Sequence, residues 1–122
     1  MAFITDSIGW INIDKFYNSQ KPKGLIRFTF PKNDAILLDE AAVYVVFKNF
    51  RGVMQAFRED DNHFVLDRVP FNEPISVVAI AFEGIDVFGH VFEAETKAGF
   101  NANVTLTETT EKELISQIQS VN

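Results

Sequence analysis

The eight residues from Ile75 to Phe82, ISVVAIAF, constrain the fold more than any other stretch of the chain. Ile75, Val77, Ala79 and Ala81 share one parity, and Ser76, Val78, Ile80 and Phe82 share the other. Successive strand side chains point to opposite faces, so a strand here is apolar on both sides and meets water on neither. The run is rich in β-branched residues and too short to read as a helix. It belongs inside a sheet with another layer against each face. Burying Ile75, Val77, Val78, Ile80 and Phe82 at roughly 1.5–3 kcal/mol each makes this the largest single source of core energy in the sequence. The residues before it, from His63, set Phe64 and Leu66 toward the core. Pro70 ends that strand because it has no N–H for a ladder, and Asn72-Glu73-Pro74 turns the chain.

The same alternation recurs on both sides. Gly9 to Phe16 reads as a first strand, placed at an edge because Asn12 and Asp14 are poor strand residues. Tyr17 to Gly24 is a polar loop with turn formers at Asn18, Ser19, Pro22 and Gly24. In Leu25 to Phe30, Ile26, Phe28 and Phe30 face in while Arg27 and Thr29 face out, the pattern of a strand with one wet face. Ile36, Leu37 and Leu38 pin the following connection to the core. Ala41 to Lys48 is apolar on both faces and forms a second interior strand. Asn49 to Gly52 turns the chain, with Gly52 able to take a positive φ. Val53 to Arg58 is the returning strand, and Glu59 to Asn62 is an acidic turn. Glu83-Gly84 is a tight turn, after which Ile85 to Glu95 returns antiparallel; Gly89 marks a bulge or a close approach. Ala102 to Glu108 is the last strand.

The period then changes. Thr110 and Glu113 have the capping-box spacing, and Leu114, Ile115, Ile118 and Val121 fall on one helical stripe. A helix is predicted over 111–120, too short to stand alone in water and so packed on the sheets or on a partner. The reading divides the chain into an N-terminal tail, 1–8, and one domain, 9–122, that includes this helix. The fold class expected is all-β: a seven- to eight-stranded antiparallel sandwich with a C-terminal α-helix.

Composition narrows the function. A chain of 122 residues suits one domain with a core that needs no staples. It has no cysteine, hence no disulfide, no thiolate metal site and no Cys nucleophile. A formal charge of −6 disfavours a surface that tracks nucleic-acid phosphates or anionic lipid. No apolar run approaches the ~18 residues that span a bilayer, so no membrane insertion is expected from this segment.

The segment HFVLDRVPFNEPISVVAIA resembles the corresponding part of transthyretin-like domains, including carboxypeptidase regulatory-like modules. The resemblance implies a transthyretin-like or immunoglobulin-like sandwich in which this segment links two strands. Where that family has a Pro-x-Gly corner, this chain has Phe71-Asn72-Glu73-Pro74. GWINIDKFY near the start and LTETTEKELISQI near the end are similar to the C-terminal regions of uncharacterised cell-surface proteins and lipoproteins of Bacteroidetes-type bacteria. That similarity implies a cell-envelope or extracellular setting and transfers no functional residue.

Catalytic signals are weak. His63 and His90 lack a His-x-x-x-His or His-x-His spacing for a metal. The Glu59–Asn62 turn offers oxygens but not the order of an EF-hand loop. Asp14, Asp67, Glu93 and Glu95 could pair as acid and base only if the fold converged them. Ser7 and Ser76 lack a nucleophile-elbow context. No catalytic residue, metal ligand or cofactor is expected. The stronger hint is aromatic: Trp10, Phe16, Tyr17, Phe50, Phe57 and Phe71 lie near loops or on mixed faces. Trp10, Tyr17, Phe50 and Phe71 are the candidate contacts for a protein or glycan partner. The expected function is a non-catalytic accessory or interaction module of a larger bacterial envelope protein, with a carbohydrate-binding module as the alternative.

Overall fold

A computed structural model describes residues 9–121, with side chains as far as Ile118. The expected tail, 1–8, lies outside the described residues. In chain order the elements are α1 (Ile13–Tyr17), β1 (Lys23–Thr29), β2 (Leu37–Phe47), a 3-10 turn (Lys48–Phe50), β3 (Gly52–Gln55), β4 (Phe57–Arg58), β5 (His63–Pro70), β6 (Pro74–Glu83), β7 (Asp86–Glu95), β8 (Asn101–Asn103), β9 (Thr107–Thr109) and α2 (Glu111–Val121). The strands form two sheets, ordered β4-β5-β1-β8 and β3-β2-β6-β7-β9. The chain is thus an all-β, sandwich-like protein with a C-terminal helix.

Strand β6 is the hub. It pairs antiparallel with β2, Val43 opposite Ala79 and Val45 opposite Val77. On its other side it pairs antiparallel with β7, Val77 opposite Phe92 and Ala79 opposite His90. Ile75, Val77 and Ala79 point into the space between the sheets, against Phe28, Phe47 and Leu66. Val78 and Ile80 point the other way, where α2 lays Leu114 and Ile118 over them beside Tyr44 and Val46. Both faces of β6 are dry because the protein has three layers, sheet on sheet on helix, and each face of the octapeptide belongs to a different core.

Helix α2 begins as its sequence indicates. The Thr110 hydroxyl accepts the Glu113 N–H at 3.1 Å, and the Thr110 carbonyl accepts the Leu114 N–H at 3.0 Å. Leu114 and Ile118, four residues apart, then share one buried face.

The corner between β5 and β6 is tied by side chains in place of a glycine. Asn72 takes a positive φ of 60°. The buried Thr96 hydroxyl donates to the Pro70 carbonyl at 2.6 Å and accepts the Glu73 N–H at 3.0 Å. The Glu73 carboxylate, only 5% exposed, receives Lys21 at 2.8 Å on one oxygen and the Asn49 amide at 2.9 Å on the other. The corner therefore holds the α1–β1 loop, the 3-10 turn and the end of β7 in one polar knot, and the two Thr96 hydroxyl bonds at its centre are shielded from competing water.

Four stretches differ from the sequence reading, the first being Ile36 to Leu38, where Leu37 does not pin a connection to the core but begins β2 with its side chain 44% exposed. Gly9 to Phe16 is not a strand: only Trp10 bridges, parallel, to Val53. Asn12 then accepts the Lys15 N–H at 3.0 Å and starts α1, which rolls Phe16 into the core and Ile13 out. The polar residues that marked an edge strand are a helix cap and first turn. Val53 to Arg58 is two strands in different sheets. The Ala56 N–H bonds the Val43 carbonyl, and one residue later Phe57 pairs with Val65 of β5. Residues 102–108 also cross between layers: β8 pairs parallel with β1, and β9 pairs antiparallel with β7. At Gly52, the neighbouring Arg51 carries the positive φ. Gly52 is needed because a Cβ there would strike the Ile11 backbone.

The phenylalanines sort by layer. Phe16, Phe28, Phe30, Phe47, Phe64 and Phe100 are buried, most in edge-to-face pairs such as Phe16–Phe47 at 4.8 Å and Phe30–Phe64 at 5.2 Å. Phe57 is 67% exposed.

Candidate functional site

The outer edge of β3 gathers three of the six large apolar side chains that are exposed among the described residues. Gly52 lets the backbone of Ile11 approach, so residues 9–11 lie along β3. The Val53 N–H donates to the Gly9 carbonyl at 3.0 Å, and the Ile11 N–H donates to the Val53 carbonyl at 3.1 Å. The helix that follows turns the chain away after these two bonds. Its first residue, Ile13, is left 57% exposed, and Trp10 is 62% exposed. On the far side the crossing from β3 to β4 throws Phe57 outward. These three side chains wall a groove of about 270 Å³ over Val53 and Met54, and among the described residues Gln55 is the only polar one that lines it. Among the described residues, no ionisable side chain contributes to its walls.

Of the residues that the sequence nominates, Trp10 lies on this groove and the other three do not. Tyr17 is half-buried, with the Arg68 guanidinium 4.5 Å from its ring centroid. Phe50 packs edge-on to Phe16 at 5.3 Å. Phe71 lies over Gly24, where a Cβ would overlap its ring. Ile13 and Phe57 complete the groove. Phe57 carries an aromatic signal in the sequence, but Ile13 carries none, because its exposure follows from a helix where alternation suggests a strand.

The titratable groups gather elsewhere. Glu59, Asp60 and His63 place one ligand atom each within 4.8 Å of one another, the one such group among the described residues that could grip a cation. All three are already engaged. Arg27 makes a forked pair with Glu59, both bonds 2.9 Å, and this pairing raises the guanidinium above its usual value. Asp60 accepts the Asn62 N–H at 3.1 Å, the His63 N–H at 3.0 Å and the His63 Nδ1 at 2.7 Å. The His63 ring and then the Asn62 N–H hold its carboxyl below the ordinary range. The arrangement closes the β4–β5 turn. The other carboxylates of interest are spread out: Glu93 on β7 pairs with Lys48 of the 3-10 turn, Asp67 lies on β5 in the opposite sheet, and Asp14 lies on α1.

No protein-family model matches the chain, and neither a curated protein nor a solved structure matches it.

Proposed function

We propose that the chain is a non-catalytic interaction module of a larger bacterial cell-envelope protein, and that it docks through the groove between Trp10, Ile13 and Phe57. The observation that carries this reading is the concentration of three large apolar side chains, each more than half exposed, around one concave, uncharged surface. Apolar surface gathered in one place marks contact sites far more often than scattered apolar residues do. Aromatic anchors in a water-excluding setting are where binding energy concentrates. The engagement of Glu59, Glu73 and Glu93 with Arg27, Lys21 and Lys48 supports a structural use of these carboxylates rather than a catalytic one. The envelope setting rests on the resemblance of the two ends of the chain.

The test is chemical-shift mapping of the labelled chain against the remainder of its parent polypeptide. Shifts centred on Trp10, Ile13 and Phe57 are expected. A surface with no perturbed residue would end the reading.

Trp10 favours a second reading, a carbohydrate-binding module, because a 62% exposed indole can stack on a sugar ring. Against it, sugars also need directed polar groups, and among the described residues Gln55 is the only polar one in the groove. Glycan-array binding that disappears in Trp10→Ala with the fold intact would replace the first reading with this one.

A further inference from the structure

The groove contains an unfinished strand edge. Val53 spends its N–H and carbonyl on Gly9 and Ile11, so its main chain faces away from β2. Val46 opposite Val53 is therefore a pair without mutual hydrogen bonds, and the pattern alternates along an antiparallel ladder. Tyr44 opposite Gln55 repeats it, and the Ala56 N–H bonds inward to Val43 as the alternation requires. Hence the Gln55 N–H and carbonyl face outward. The Ile11 carbonyl and the Ile13 N–H would cover them had that pairing run one step further, but Asn12 starts α1 and lifts the chain off. The outward-facing main chain of Gln55 thus sits between the apolar walls.

Building on the docking reading, we propose that the groove takes an extended, uncharged segment of a partner polypeptide, which adds to the edge of β3 by pairing with Gln55. Its alternate side chains lodge among Trp10, Ile13 and Phe57. Backbone pairing supplies the register and the apolar pockets supply the selectivity, as in other strand-addition sites. The charge match is specific: the chain carries −6 overall, yet none of the described residues that line the groove is ionisable. A charged side chain entering it would lose hydration and gain no counter-charge, so the occupant is neutral along the paired stretch. Proline at a pairing position is excluded because it lacks the N–H.

The probe is a phage-displayed library of random twelve-residue peptides, panned on the 122-residue chain and counter-selected on Phe57→Asp. Phe57 is exposed enough that this variant is expected to fold, which an amide NMR spectrum checks; Ile13→Asp is the second variant. The expected outcome is enriched peptides with an uncharged, proline-free stretch that bind both variants at least about tenfold more weakly. N-methylation of the peptide amides of one parity should weaken binding at least about tenfold and that of the other parity should leave it unchanged. The Gln55 amide should become protected from exchange in the complex. Peptides that occupy the groove but tolerate N-methylation at both parities would overturn strand addition and leave the docking reading standing. If no peptide is enriched over the Phe57→Asp background, the peptide proposal falls, and the shift map against the parent polypeptide still decides the docking reading separately.

Discussion

The main chain of Gly89 on β7 lies so close to Ala79 on β6 that a β-carbon at residue 89 would overlap the Ala79 carbonyl oxygen. The obstacle is backbone, so no rotamer change relieves it. The two hub strands would have to part, and the α2 face of the sheet would move with them. Gly89→Ala is expected to cost about 2–3 kcal/mol, read from urea denaturation. Gly99→Ala is the control. Its φ of +72° is strained for alanine, but nothing lies near the added carbon, so about 1 kcal/mol is expected. A Gly89→Ala cost no larger than that of Gly99→Ala would mean that β6 yields to the added carbon.

Thr96 gives a test in which the more hydrophobic substitution is the worse one. Thr96→Val keeps the shape and removes the hydroxyl. The Pro70 carbonyl and the Glu73 N–H then lose their partner while buried, and a cost of about 2–4 kcal/mol is expected for the two orphaned groups. Thr96→Ser keeps the hydroxyl and loses one methyl, about 1 kcal/mol. Thermal unfolding of both variants ranks them, and a Ser variant less stable than the Val variant would remove the polar knot as the basis of this corner.

What was legible in the sequence is what alternation and side-chain size determine. Ile75 to Phe82 declared an interior strand because both parities are apolar, and both are used, one by each core. Thr110, Glu113, Leu114 and Ile118 declared the helix through cap and stripe. Interlayer crossings were not legible. Nothing in VMQAFR marks Ala56 as the residue at which the chain leaves one sheet for the other, because both halves keep a strand's extended backbone. The same holds between β8 and β9. Gly52 was readable as special, but its reason, the passage of Ile11, depends on a contact made by residues forty positions away in the chain and invisible to local pattern. The groove inherited that blindness: Trp10 and Phe57 were visible as misplaced aromatics, whereas Ile13 and the Gln55 edge arise only once Asn12 caps a helix.

Leu114 tests whether α2 is part of the folded unit or an appendage. It is fully buried between the helix and the outer face of β6 and β7. Leu114→Ala is expected to cost about 2–4 kcal/mol, with the helical circular-dichroism signal and the sheet signal lost in one transition. Ile115, half-buried on the neighbouring stripe, should lose less than half as much on the same change. If the Leu114 variant melted its helix first and left the sheets with unchanged stability, the helix would be a separate unit and the outer face of β6 stable without its cover.

The turn between β4 and β5 predicts an acid limb. Asp60 is ionised more readily in the fold than in the open chain, first because of the His63 ring and then because of the Asn62 N–H. A carboxyl whose folded value is depressed stabilises the fold fully above its unfolded value, about 3.9. The contribution disappears as pH falls through the lower, folded value. The direct measurement is a carbon-13 titration of the Asp60 carboxyl. Its midpoint should lie below 3.9 in the native protein and move upward in His63→Ala, where the two backbone N–H bonds remain but the ring is gone. The stability difference between the native protein and Asp60→Asn should shrink as pH falls below about pH 4. Because the carboxyl is exposed and the pair screened, the effect should also weaken with added salt. A midpoint that ignores His63→Ala would assign the depression to the backbone N–H groups alone, and the imidazole would then have no part in holding the turn.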